Sequence, residues 1–427
     1  MKSLIKPLII RILTWEAKLV LVRHKPFIIG VTGNLGKTST KDAIYSVMKG
    51  HFAVRRSQKS MNSEFGVPLT ILGEKSGWNN PVSWAMILLR GLFVSFSKNY
   101  PTHLVLEVGA DRPNDIKAIA EWVRPDIVVI TQFGQVPVHI EFFKDRDEVI
   151  KEKAYLVEAL KEGGLFIWNA DDHDAKKMAE GIDCRKVNFG IHEGANVKAN
   201  NLKVYGNPIE GTEADIKINH ENQHLVLPEV IGKSVVYCAL PALACAKELG
   251  IDLTVACAAL RDAEKSKGRM RLLHGMNNSI IIDDTYNASP KAVEHGLKTL
   301  GEVEAKGFKI AVLGDMLELG DFTRDEHYKI GMEVAKVAHK LYTVGIRARV
   351  MAEGALDGGM KDENIMQCDT SLDAGKELVK VLKEGDLVYM KGSQGMRMER
   401  AVKMILSEVH EPRKVLVRQE SAWLNKS

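Results

Sequence analysis

The segment Gly30-Val31-Thr32-Gly33-Asn34-Leu35-Gly36-Lys37-Thr38-Ser39 constrains the fold more than any other stretch of the chain. An apolar run, Phe27 to Val31, leads into it, and a helical pattern from Lys37 to Met48 leads out. Strand, glycine-rich turn and helix in that order open an α/β unit. Such a turn suits anion binding, because glycines let backbone N–H groups approach phosphate oxygens and the helix N-terminus adds partial positive charge. On this reading Gly33, Asn34, Leu35, Gly36, Lys37, Thr38 and Ser39 cradle nucleotide phosphates. Lys37 then bridges the terminal phosphates and the Thr38 hydroxyl holds Mg²⁺. The spacing is G-x-x-G-x-x-G-K-T, with Val31 where the standard loop has glycine. The plainer alternative is a glycine-rich turn with a chance lysine.

Further buried-strand candidates at His103 to Val108, Asp126 to Thr131 and Gly164 to Trp168 alternate with helical stretches, which predicts a mostly parallel sheet. Short alternating segments from Asn196 to Leu227 predict an antiparallel appendage, followed by helices at Val235 to Leu249 and near Leu253 to Asp262. The polar run Glu264-Lys265-Ser266-Lys267-Gly268 reads as an interdomain linker. Strand candidates then recur at Ser279 to Asp283, Lys309 to Leu313, Lys340 to Val344 and Asp386 to Met390, a second, smaller, Rossmann-like α/β domain. With 427 residues the chain is too long for one core, and the division expected is a segment 1–25, a nucleotide-binding domain 26–266 and a C-terminal domain 267–427.

A formal net charge of +4 without a basic, aromatic-interleaved stripe argues against nucleic acid as a partner. The cysteines Cys184, Cys238, Cys245, Cys257 and Cys368 form no C-x-x-C pair, so a zinc site is not expected and a reducing cytoplasm is. Leu4, Ile5, Leu8, Ile9, Ile12 and Leu13 repeat at helical spacing with basic residues between them. That pattern fits a helix packed on its own domain, and also an interfacial helix on the inner face of a membrane. Lys6, Arg11, Glu16 and Lys18 interrupt it, so it cannot span one.

"TGNLGKTSTK" resembles the phosphate loop of the Mur ligase family, and the similarity then runs along nearly the whole chain in order. Its landmarks are "MNSEFGVPLTIL" (Met61 to Leu72), "LEVGADRPNDI" (Leu106 to Ile116), "NADD" (Asn169 to Asp172), "GRM" (Gly268 to Met270), "DDTYNASP" (Asp283 to Pro290), "LGDMLELG" (Leu313 to Gly320) and "KGSQGMRME" (Lys391 to Glu399). Each is weak alone, and together they point to the branch that adds D-alanyl-D-alanine to a peptidoglycan precursor. The resemblance implies an ATP- and Mg²⁺-dependent amide ligase working through an acyl phosphate. It implies Glu107 as a ligand of Mg²⁺ beside Thr38, and His139 and a carbamylated Lys153 at a second Mg²⁺. Composition alone would make Glu107 a strand-end ion pair and Lys153 a surface lysine among Lys151, Glu152 and Glu148. The resemblance further places Asn169, Arg269, Asp284, Tyr286 and Asn287 around ATP, and Asn62, Ser63, Glu64, His327, Lys391 and Ser393 around the substrates. A cytoplasmic monomer is expected.

The chain departs from the family in four places, one of them Ser289 in "DDTYNASP", where asparagine is frequent. The phosphate loop starts at Gly30, leaving no room before it for the usual UDP-gripping domain, so a different or lipid-linked acceptor stays open. Gly232-Lys233-Ser234-Val235-Val236-Tyr237-Cys238-Ala239-Leu240 lacks the histidine and second asparagine of the common G-x-H-N-V-x-N-A-L. Gln394 stands where an arginine often follows Lys-Gly-Ser. Rival readings are a polyglutamate-adding ligase, a Mur-like amidotransferase partner (disfavoured by the missing paired cysteines), and an ATP-dependent switch without ligase activity.

Overall fold

The computed structural model describes residues 5–58, 60–77 and 80–424, so Leu4 lies outside it. The first sheet holds β1 (Phe27–Thr32), β2 (Val54–Arg56), β3 (His103–Glu107), β4 (Ile127–Ile130), β5 (Leu165–Asn169), β6 (Arg185–Gly190), β7 (Val197–Tyr205), β8 (Gly211–Ile218) and β9 (Glu221–Pro228). Its strand order is β2-β3-β1-β4-β5-β6-β7-β8-β9. Pairing is parallel from β2 through β7 and antiparallel from β7 to β9, so the expected appendage continues the same sheet.

The helices of this half are α1 (Ile5–His24), α2 (Lys37–Met48), α3 (Gly66–Leu72), α4 (Pro81–Val94), α5 (Asp115–Val123), α6 (Arg146–Glu158), α7 (His173–Glu180), α8 (Lys233–Glu248) and α9 (Leu253–Arg261). β4 reads Ile-Val-Val-Ile with every residue buried, as a parallel strand covered on both faces must be. Ile29, Val31 and Val105 face a core shared with α2, α8 and α9. Their neighbours Ile28, Leu104 and Leu106 face the opposite core, filled from α1 and α3 to α7. The two-residue period of a strand produces that split.

In the second sheet β10 (Arg271–His274), β11 (Ile280–Asp284), β12 (Lys309–Gly314), β13 (Lys340–Val344), β14 (Ile365–Cys368) and β15 (Leu387–Lys391) take the order β10-β11-β15-β12-β13-β14. All pairs are parallel except β10 with β11. Helix α10 (Pro290–Glu302) follows β11.

Helix α1 lays Ile9, Leu13, Ala17 and Val20 into the core at helical spacing and packs on α3 and α4. One polar group lies in that seam. Glu16 is 1% exposed, and its carboxylate stands where a side chain on Gly91 would have to go, 2.1 Å from the ideal Cβ position. Among the described residues neither carboxylate oxygen has a hydrogen-bond partner. Burial therefore raises the pKa to about 7. The folded chain holds this proton more tightly than the unfolded chain, so stability falls as pH rises from the ordinary carboxylate range to about 7 and stays lower above it. Glu16→Gln is expected to melt at higher temperature than the parent at pH 8, with the difference shrinking toward pH 5, measured by thermal denaturation across that range.

Candidate active site

Both sheets turn the C-terminal ends of their strands toward one cleft of about 790 Å³. The first sheet contributes the loop after β1 (Gly33 to Lys37), Glu107 to Asp111 after β3, Thr131 and His139 after β4, and Asn169 at the end of β5. Across from them stand Asp284 to Ser289 after β11, Leu317 and Glu318 after β12, and Lys391 to Arg397 after β15. This is where open α/β sheets bind ligands: the chain crosses from β3 over β1 to β4, and the loops part there.

The glycine loop is held by close approach. A Cβ on Gly33 (φ +137°) would fall 2.1 Å from Thr131 Oγ1, and Gly36 (φ +78°) begins α2 against Cys238 Sγ. Asn34 and Leu35 donate their backbone N–H groups to Gln132 O at 2.7 and 3.2 Å. The Lys37 ammonium folds back onto its own loop, donating to Gly33 O at 2.9 Å and Asn34 O at 3.2 Å. Burial lowers its pKa, opposed by the Glu107 carboxylate and reinforced by the Arg269 guanidinium.

Glu107 is 1% exposed at the end of β3. Its Oε1 accepts from Asn62 Nδ2 at 3.0 Å, while its buried Oε2 has no partner among the described residues. A buried orphan carboxylate oxygen lining the same cleft as the Thr38 hydroxyl fits a hard divalent cation, which takes oxygen donors. Among the described residues no three His, Cys, Asp or Glu side chains converge as a metal cage. Mg²⁺ seldom uses one, drawing most of its ligands from phosphate and water.

Lys153 is not a surface lysine. It lies on α6 at 4% exposure and lines the cleft. Burial, then repulsion from Lys37, pulls its pKa down to about 7. Glu152 is buried too, and accepts backbone N–H groups from Asn114, Ile116 and Lys117 at the start of α5. His139 Nδ1 stands 2.7 Å from Glu318 of the second half, and its Nε2 3.5 Å from Asp111.

The two halves meet directly at the phosphate loop. Arg269 Nη2 donates to Thr38 Oγ1 at 3.1 Å, and its guanidinium stacks 4.1 Å over the Tyr286 ring. Ser60 and the Tyr286 hydroxyl make a second cross-cleft hydrogen bond. Arg418 donates to the Thr285 and Tyr286 carbonyls from behind, and Glu399 holds Arg418 in turn. Asp284 is ion-paired with Lys391, whose ammonium also reaches Asn287 O at 2.9 Å. Asn287 Oδ1 accepts from the Gln394 backbone N–H, so this loop is tied to the one after β15.

Two family models match this chain: the Mur ligase middle domain over residues 31–246 and the Mur ligase glutamate ligase domain over 268–394. The chain belongs to the Mur ligase family. The UDP-N-acetylmuramoyl-tripeptide–D-alanyl-D-alanine ligase of Mycobacterium tuberculosis is 30% identical over 387 residues, 86% of this chain and 70% of that protein. The Bacillus subtilis ligase of the same name is 28% identical over 384 residues, 89% of this chain and 76% of its own. Among solved structures, the MurF ligase of Thermotoga maritima in complex with ADP superposes with a TM-score of 0.76 at 25% identity, covering 92% of this chain and 83% of that one. This Mur ligase is an ATP-dependent ligase.

The cleft gathers the phosphate-loop residues with Asn62, Glu107, His139, Lys153, Asn169, Arg269, Asp284, Tyr286, Asn287, Lys391 and Ser393. It does not gather Ser63, Glu64 or His327. The Ser63 carbonyl accepts from Val67 N, and Glu64 pairs outward with Lys6 at 3.2 Å. His327 is fully buried, accepting from Met316 N through Nε2 with Nδ1 at Thr323 O, so it braces the loop after β12. Ser60, Asp111, Thr131, Tyr237, His295 and Glu318 line the cleft without having been singled out from sequence. Asp111 and Glu318 sit inside "LEVGADRPNDI" and "LGDMLELG", where only the segments carried a signal.

Lys37→Ala is expected to cut ATP turnover by about 10²–10³-fold, the usual cost of removing one positioned electrostatic group. The melting temperature should not fall, since a desolvated cation is removed. Native-rate turnover in a folded variant would take Lys37 out of the phosphate site.

Proposed function

We propose that this Mur ligase joins D-alanyl-D-alanine, or an amine closely like it, to the terminal carboxylate of a muramoyl-peptide precursor of the cell wall, releasing ADP and phosphate. The observation that carries this reading is the arrangement of Lys37, Lys153 and Arg269 around Glu107 with its orphan Oε2, between two facing sheets. The chain pairs that arrangement with both Mur ligase domains.

In the reaction a carboxylate oxygen of the acceptor attacks the γ-phosphorus and ADP leaves. The amine nitrogen then attacks the acyl carbon, phosphate leaves, and the nitrogen loses a proton. The glycine-loop N–H groups and Lys37 hold the phosphates, and Lys37 sits where charge gathers on the transferring group. Thr38 and Glu107 would hold Mg²⁺, which supplies charge neutralisation on the phosphoryl oxygens. Arg269 reaches Thr38 from the far sheet, so closing the halves brings a third cation to the phosphates. The same closure excludes water, which would otherwise hydrolyse the acyl phosphate. Asn169, Tyr286 and Asn287 frame the nucleotide, and Asn62 and Ser393 border the space left for acceptor and amine.

Lys153, with a pKa near 7, keeps a large neutral fraction at physiological pH. A neutral amine can add carbon dioxide through its nitrogen and release one proton to solvent, giving a carbamate that turns the side chain from cation to anionic oxygen ligand. His139, beside Asp111, borders the same space. Lys153→Ala should therefore lose most turnover, and added formate or acetate should restore part of it. A lysine acting as a cation would not be rescued by an anion. The reaction itself is tested by following phosphate release with UDP-linked muramoyl tripeptide, D-alanyl-D-alanine and ATP. Release should require all three. Release from ATP alone at the same rate would remove the ligase assignment.

A further inference from the structure

We propose that the outward face of α1 and α4 docks on an anionic lipid bilayer. Helix α4 is inverted relative to an ordinary surface helix. It buries Trp84, Ile87 and Gly91 and turns Val82, Met86, Leu89, Leu92 and Phe93 to solvent. Positions 82, 86, 89 and 93 follow helical spacing, so they form one stripe, and Phe96 extends it past the helix end. Its one charged residue, Arg90, is held sideways by Glu74 through two contacts of 2.8 Å. Soluble chains rarely leave a contiguous apolar face of this kind open unless something covers it.

Helix α1 lies alongside and continues the face. Leu8, Trp15, Leu19 and Val22 are exposed on it, Val22 to 72%. The two helices are joined through Glu16 at Gly91, through Arg23 over the Phe96 ring at 5.3 Å, and through His24 Nε2 at 3.3 Å from Val94 O. No helix among the described residues is long and apolar enough to cross a membrane, so the face would rest on a bilayer and not span it.

Charge decides the occupant. From Met1 to Lys41 the sequence has one acidic residue, the buried Glu16, and from Lys75 to Leu106 it has none. Arg11, Lys18, Lys25 and Lys98 make no ion pair among the described residues. A second copy of this chain would bring these cations against their own kind, whereas anionic headgroups complement them while the apolar stripe enters the interface. At its start α1 touches the segment that leads away from the cleft: Lys6 pairs with Glu64 and lies over the Phe65 ring at 5.3 Å, two and three residues beyond the cleft-lining Asn62. Under the ligase reading above, a docked enzyme would meet an acceptor carried at the membrane surface.

The test is flotation of the full chain with extruded vesicles, using phosphatidylcholine alone and phosphatidylcholine mixed with phosphatidylglycerol, at low and high salt. The chain should float with the anionic vesicles and less so at high salt. Met86→Glu with Phe93→Glu, and separately Arg11→Glu with Lys18→Glu, should each weaken binding by about tenfold or more, since every basic residue near an anionic surface adds several-fold. Phosphate release on soluble substrates should be unchanged in both. Absence of flotation, or flotation equal in parent and variants, would overturn the docking. So would a dimer in analytical ultracentrifugation that both double variants dissociate, because the face would then belong to a second copy. Vesicle binding without phosphate release on a muramoyl-peptide acceptor, whether free or tethered to the vesicles, would count against the ligase reading and leave the docking intact.

Discussion

The cleft holds positive charge ahead of its anion. Lys37, Lys153 and Arg269 converge on a space whose buried carboxylates are Glu107 and Asp284, the latter paired with Lys391, and two consequences follow. Burial depresses both lysines, with repulsion added from Arg269 on Lys37 and from Lys37 on Lys153, and Glu107 opposes this at Lys37 as Glu152 does at Lys153. A group of this kind is uncomfortable until a polyanion arrives, so ATP binding relieves electrostatic strain that the fold itself maintains. The strain can be maintained because each cation is anchored on rigid structure: Lys37 on the first turn of α2, Lys153 on α6 and Arg269 beside the first strand of the second sheet.

The cross-cleft contacts make that charge conditional on domain position. Arg269 joins the cluster only when the second half sits against the first, with Ser60 at Tyr286 and His139 at Glu318 sharing the contact. Tyr286 is fixed from three sides: Arg269 stacks on its ring, Ser60 meets its hydroxyl, and Arg418 from the C-terminal segment grips its carbonyl. The last residues thus support a turn more than 130 positions earlier, which links the far end of the chain to the nucleotide side of the cleft.

Much of this was legible in sequence, for identifiable reasons. β1, β3, β4, β12 and β13 are short, largely apolar runs buried on both faces, and such runs read as parallel strands. The strands sequence did not reveal, β2, β10 and β14 at sheet edges and β6 where the sheet turns to its antiparallel part, are short or carry polar and half-exposed residues with no alternation to detect. Glu107, Asn169 and Asp284 were named through the resemblance, and all three stand at strand ends, where α/β proteins put ligands. His327 was named through the resemblance, and in the fold its two ring nitrogens serve the Met316 N–H and the Thr323 carbonyl outside the cleft lining. Glu64 misled because its neighbour Asn62 faces the cleft, and at the turn before α3 a two-residue step points the side chain elsewhere.

The departures from the family pattern have unequal weight. Gln394 replaces a frequent arginine, yet the contact that ties its loop to Asn287 comes from its backbone N–H, so that exchange leaves the turn standing. The exchange at Cys238 is different. Its thiol packs against Gly36, at 3.0 Å from where a Cβ on that glycine would lie, and reaches the Gly36 carbonyl at 3.7 Å. An asparagine there could offer a strong donor and acceptor, whereas a thiol offers a weak donor in a compact, apolar group. Polar duty on this side falls instead to Tyr237, whose hydroxyl is bound to Asp171 at 2.7 Å, two residues beyond Asn169. Asp171 in turn holds the Ile191 backbone after β6, so this side of the cleft is organised through a tyrosine–aspartate pair anchored in the sheet.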